Sequence, residues 1–157
     1  YGEQSAQGKY MTFEDYFDQI KPQKIDGTPR PMYSADIGSI NVKIFRTNHI
    51  PSNEMGWENC FYSVGVLVDN RILFTGDTKF DKDLITWLEN DYKIETIFHD
   101  CQFYPGGVHA YYEEIATLPE STKKKILLCH YGENYNQYNP EEKGFAGFVK
   151  RGVYYNF

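Results

Sequence analysis

The hydrophobic pattern changes character halfway along the chain, and that change limits the folds open to it. INVKIFRT (40–47) alternates apolar and polar residues, as a half-buried strand does. FYSVGVLV (61–68) and RILFT (71–75) flank Asp69-Asn70, a hairpin-turn dipeptide. From residue 81 onward, helical and strand patterns take turns. DKDLITWLEND (81–91) sets Leu84, Ile85 and Leu88 on one helical face behind Asp81 as N-cap. IETIF (94–98) reads as a strand, AYYEEIATL (110–118) as a helix and KILLC (125–129) as a buried strand. Antiparallel hairpins followed by β–α–β–α–β predict a layered α/β fold with a mixed sheet. At the ends, Thr12 caps a predicted short helix, TFEDYFDQI, stopped by Pro22, and VYYNF reads as a terminal strand. Residues 21–39, rich in Pro and Gly, read as loop, as do residues 48–59. The 157 residues suit a single domain, 1–157, with 1–11 as a mobile lead-in.

Charge and composition narrow the function classes. Sixteen basic against 22 acidic residues give a net charge of −6, so the chain has no general attraction to a phosphate backbone, and nucleic acid is disfavoured as a partner. A small anionic substrate stays open if metal ions supply local positive charge. No apolar run approaches the ~18 residues of a membrane span, and the polar start YGEQSAQGKY does not read as a signal peptide. Three scattered cysteines, Cys60, Cys101 and Cys129, read as reduced thiols packed in core or edge positions of a cytoplasmic protein.

The chemistry lies in where the polar residues fall. Predicted strands run into Asn48-His49, Gly76-Asp77-Thr78, His99-Asp100 and His130, and His109 follows at a loop-to-helix junction. In open α/β sheets, sites form beyond the carboxyl ends of strands. Imidazoles and carboxylates gathered there are the ligands that Zn²⁺ and similar ions use. His109, oriented by Asp100, can carry a proton to a leaving oxygen. Alone, each histidine reads as a surface or capping residue and Gly-Asp-Thr as a turn, so the signal lies in the set. Alternation turns His99 away from Asp100, making it structural, and turns Cys129 away from His130, making it a small hydrophobe. Tyr131, Tyr135 and Tyr138 read first as packing, with the mouth of a pocket as the alternative.

TNHIPSNE, ENCFYSVGVLVDNRILFTGDTKF, TIFHDCQFYPGGVHAYYEEIATLPESTKKKILLCHYGEN and GFAGFVKRGVYYNF together carry a family resemblance. From about residue 10 to its end, the chain resembles the C-terminal half of metallo-β-lactamase-fold hydrolases. The branch is that of ribonuclease Z and the anti-Pycsar-type cyclic-nucleotide phosphodiesterases. The resemblance implies half of an αββα sandwich with a mixed sheet. It implies His49, Asp77 and His130 as metal ligands, with Asp77 bridging two ions, and His109 with Asp100 as the catalytic pair. Zn²⁺ suits such mixed ligands best, and Mn²⁺ is tolerated. His-Asp-Cys-Gln stands where ribonuclease Z has His-Glu-Ala-Thr, and His-Ala-Tyr where it has His-Ser-Thr; both keep the titratable groups.

The family's His-x-His-x-Asp-His cluster is absent from this sequence, so the resemblance implies a complementary N-terminal half or chain as partner, and a homodimer as the usual assembly. The expected function is therefore a metal-dependent phosphodiesterase for cyclic nucleotides or related small phosphodiesters, completed by that half. A non-catalytic half-domain acting as a binding module is the competing expectation. An ester, lactone or thioester hydrolase, or a ribonuclease Z-like nuclease, is a further one. No substrate-binding residue is legible in the sequence.

Overall fold

The fold is described from a computed structural model, which covers residue 8 and residues 11–50 and 56–157. The expected lead-in over 1–11 lies outside the described residues except for residues 8 and 11, as does 51–55 of the loop expected over 48–59. The strands are β1 (Gln23–Ile25), β2 (Met32–Ile37), β3 (Ile40–Arg46), β4 (Val64–Val68), β5 (Ile72–Phe74), β6 (Thr96–Asp100), β7 (Ile126–Cys129) and β8 (Gly147–Phe148). They form one eight-stranded sheet in chain order. Pairing is antiparallel from β1 to β5 and parallel from β5 to β8. Parallel neighbours need a crossover. Helix α1 (Lys82–Asp91) supplies it between β5 and β6, and the single-turn helices α2 (Tyr112–Ile115) and α3 (Glu120–Lys123) lie between β6 and β7.

Local chemistry fixes the sharp points. Asp69 and Asn70 take φ of 50° and 59°, as a two-residue turn with the twist of a hairpin requires. Asp81 caps α1, its side chain accepting from the Leu84 N–H, and Leu84, Ile85 and Leu88 are buried. They join Met32, Phe45, Leu67, Leu73, Ile97, Ile126 and Leu128 in one core. The opposite sheet face is apolar too. Ile44, Val66, Phe74, Phe98 and Leu127 lie opposite one another in register across five strands. Phe98 is buried, Phe74 is exposed and the other three are half-buried.

Several expected elements differ. The helix over 12–20 is a single 3₁₀ turn, Phe13–Asp15: the Thr12 N–H and hydroxyl both donate to Asp15, at 2.7 and 3.0 Å, yet Phe13, Tyr16 and Phe17 stay exposed. A cap starts a helix, but without an apolar face to bury a short one does not propagate. The loop expected over 21–39 contains β1 and β2, β1 held by pairing with β2 and β2 by pairing with β3. VYYNF is not a strand; Tyr155 and Phe157 meet the Phe98 ring edge to face, at 5.7 and 5.9 Å between centroids. The helix over 110–118 shortens to α2 because Pro119 starts α3, and the strand expected over 94–98 sits two residues later, bringing His99 and Asp100 into β6.

The α/β class and the mixed sheet agree with expectation, but the described residues make one sheet, not an αββα sandwich of metallo-β-lactamase type. Among the described residues, no helix is long and apolar enough to cross a membrane.

Candidate functional site

Beyond the carboxyl ends of β5, β6 and β7 the sheet gathers its titratable side chains. Thr75 extends the parallel pairing past β5, its N–H donating to the Phe98 carbonyl at 3.0 Å, and its hydroxyl accepts from the Asp100 N–H at 3.0 Å. Gly76 turns the chain at φ +63°; a Cβ there would lie 2.2 Å from the Val64 carbonyl oxygen, so no larger residue fits. The turn delivers Asp77, whose backbone carbonyl accepts from Ser63 at 2.7 Å and whose side chain is 54% exposed. Thr78 follows with its N–H on Asp100 Oδ2 at 2.8 Å.

Asp100 closes β6 and is the hub. Its side chain is only 2% exposed, and a buried carboxylate must be met by donors. Oδ2 accepts from Thr78 and from His109 Nδ1, the latter at 2.7 Å; Oδ1 faces His130 Nδ1 at 3.1 Å. His130 Nδ1 also lies 3.4 Å from Asp77 Oδ1. His130 itself has φ +58°, a left-handed conformation that costs a non-glycine residue about 1–3 kcal/mol and recurs at functional positions. The bend swings the imidazole off the line of β7 and over the two carboxylates.

His109 arrives on a loop templated by Gln102, one of the residues that sequence reasoning missed. Gln102 is 5% exposed. Its Oε1 accepts from the His109 N–H at 3.2 Å and its Nε2 donates to the Tyr104 carbonyl at 2.6 Å. Gly107 lies so close that a Cβ would meet both amide heteroatoms at 2.2 Å. Thr75 and Thr78, which orient Asp100, were also missed. The signal for Thr78 was its place in Gly-Asp-Thr; for Gln102 it was the departure from the ribonuclease Z motif.

Ligand atoms of Asp77, Asp100, His109 and His130 all lie within 4.8 Å of one another. His49 stands beside this group: its ring is 5.0 Å from that of His109, and its Nδ1 faces the Val108 carbonyl at 3.0 Å. That bond fixes Nδ1 as the protonated nitrogen and leaves Nε2 as an acceptor, the tautomer in which a backbone carbonyl holds a metal-ligating histidine. Two carboxylates crowded against imidazoles form a donor set that a divalent cation would balance, so the residues fit such an ion. His109, with Nδ1 bound to Asp100, keeps Nε2 for proton transfer.

His99 is fully buried, bonds the Asp100 carbonyl through Nδ1 at 2.7 Å and has its pKa lowered chiefly by burial. Burial likewise pushes the Cys101 and Cys129 thiols up to about 12, so both are neutral packing groups.

The sequence matches the family described as "Anti-Pycsar protein Apyc1" over residues 1–155. It is 42% identical over 100 residues to the Anti-Pycsar protein Apyc1 of Paenibacillus harenae, covering 63% of this chain and 38% of that protein. It is 29% identical over 133 residues to the protein of the same name from Bacillus phage BSP38, covering 82% and 47%. For that of Bacillus phage 010DV004 the figures are 34% over 103 residues, covering 62% and 35%. The chain spans less than half the length of these curated relatives.

These matches correct the expected function. The expectation from sequence is a metallo-β-lactamase half-domain phosphodiesterase awaiting a missing cluster-bearing half, with a binding half-domain or an ester, lactone, thioester or ribonuclease Z-like hydrolase as alternatives. The family match runs through nearly the whole chain and points to the anti-Pycsar family, and nothing in it indicates a metallo-β-lactamase half-domain.

Proposed function

This chain belongs to the Anti-Pycsar protein Apyc1 family, and on that premise we propose that it counters Pycsar defence by degrading cyclic nucleotides in the cytoplasm. The observation that carries the reading is the convergence of Asp77, Asp100, His109 and His130 ligand atoms within 4.8 Å. A small phosphodiester fits a site whose acids and imidazoles are few and close, on a chain whose acidic charge repels longer phosphate backbones.

In this reading a divalent ion, Zn²⁺ or Mn²⁺, would be held by Asp77 and His130, with His49, whose ring lies 5.0 Å from that of His109, beside them. Such an ion polarises a phosphoryl oxygen and eases the ionisation of water. Asp100 holds the neighbouring imidazoles in place, with Thr78 completing its shell of donors. His109, its Nδ1 fixed by Asp100, presents Nε2 to the reacting phosphoryl group. Water oxygen bonds to phosphorus as one ester P–O bond breaks. The proton released by the water passes through His109 Nε2 to the departing sugar oxygen, leaving a ring-opened phosphomonoester. Asp100 is the positioning residue and His109 the catalytic one.

The test is turnover of cyclic AMP and cyclic CMP by the full protein supplied with Zn²⁺ or Mn²⁺. Removing a general acid of this kind lowers rates by roughly 10²–10⁴. We expect a loss of that size in His109→Ala, and loss of both activity and bound metal in Asp77→Ala. Wild-type rates in Asp77→Ala, or no turnover by the metal-loaded protein, would end the proposal.

A further inference from the structure

His130 is followed directly by a cleft that the reaction above leaves unused. It has a volume of about 650 Å³, within the range of small-ligand sites, and is lined by Tyr131, Tyr135, Tyr138, Phe148, Lys150 and Arg151 among others. The walls are built. Tyr131 donates its hydroxyl to the Val149 carbonyl, which ties the turn after β7 to the end of β8. Tyr138 stacks on Phe103 with centroids 3.9 Å apart at 11°. Tyr131, Tyr135 and Phe148 form a ring cluster with centroids 4.7 to 5.7 Å apart. Tyr135 is nonetheless 44% exposed, so part of its ring remains open.

The cleft thus joins flat aromatic walls to two adjacent cations, Lys150 and Arg151, and one carboxylate, Glu141, on a chain whose net charge is −6. Asn136 adds an amide with both donor and acceptor. A ligand matching all of this and reaching His130 has a planar aromatic end, hydrogen-bonding edges and an anionic end. From this juxtaposition we infer that the Tyr131–Tyr135–Arg151 cleft receives the nucleobase of the substrate, Tyr135 stacking on its face and Arg151 at its edge. Stacking tolerates any base because every base has a π-face, so the cleft should accept purines and pyrimidines alike. The inference rests on the cyclic-nucleotide reading, and its test is separable from that reading.

Adenosine, a nucleoside without phosphate, probes the cleft alone. In the full protein we expect saturation transfer to the adenine ring protons in wild type and in Tyr135→Phe. In Tyr135→Ala the affinity should fall roughly ten- to a hundredfold, the range that loss of one stacking side chain gives. Arg151→Glu, an exposed change that spares the aromatic packing, should also weaken adenosine binding. KM for cyclic AMP should rise in the same order. No adenosine binding by wild type, or equal binding by wild type and Tyr135→Ala, overturns the nucleobase cleft even if cyclic nucleotides are degraded. Adenosine binding lost in Tyr135→Ala, in a protein that degrades no cyclic nucleotide, supports the cleft and defeats only the proposed reaction.

Discussion

Gln102 shows how much of this site depends on a side chain with no chemistry of its own. Its amide holds both ends of the Tyr104–His109 turn, and Gly107 closes over it with no space to spare. A misplacement of about 1 Å can cost a hundredfold in rate. Gln102→Leu, which keeps bulk and removes both hydrogen bonds, should therefore lower kcat by roughly ten- to a hundredfold while KM for cyclic AMP stays within a factor of two. An unchanged kcat would show that the loop holds His109 without it. At this scale the sequence announces the titratable groups that the fold gathers and is silent about their supports. Asp77, Asp100 and His130 were legible as titratable side chains that follow or close strands, and His109 as one at the loop-to-helix junction after them. Gln102 acts through the His109 N–H, 7 residues away along the chain, and Thr78 gives its own N–H to the Asp100 carboxylate, 22 residues away; nothing in the order of residues announces those partners.

Among the elements, α1 is the one whose start carries the most. Asp81 Oδ1 accepts from the Leu84 N–H at 2.9 Å, while Oδ2 pairs with Arg30 at 2.9 Å. Arg30 is 7% exposed, so the pair is a buried one, and removing the acid strands a cation. Asp81→Asn keeps an acceptor for the cap and loses the charge; it should cost about 3 kcal/mol in urea unfolding. Asp81→Ala loses the cap as well and should cost about 1 kcal/mol more. A loss below ~1 kcal/mol in Asp81→Asn would mean that the pair behaves as an exposed one. The cap and the Asp69-Asn70 turn were readable because each is a local device. β1 and β2 were not, because Gln23–Ile25 and Met32–Ile37 show little alternation and owe their extended form to pairing, β1 with β2 and β2 with β3. The single turn of α3 was equally silent, with Glu120–Lys123 polar throughout although Thr122 is buried.

For the molecule as a whole, the telling property is a sheet that is apolar on both faces. One face is covered by α1 and the core around it. The other carries the row from Ile44 to Leu127, where Tyr155 and Phe157 meet Phe98. Phe74 there is 40% exposed. Contiguous apolar area of this kind attracts apolar probes. The 157-residue chain should thus enhance the fluorescence of an apolar dye such as ANS under native conditions, and Phe74→Thr should reduce the enhancement. No enhancement by the wild-type chain would show that this face is shielded. The order of the sheet carries one more consequence. Because no strand slots between two others, each new row can be laid on a border finished just before it, in the direction in which a ribosome releases the polypeptide. The carboxylates of Asp77 and Asp100 would then be set down before His130, which, carried by the penultimate row, would complete the cluster only near the end of assembly.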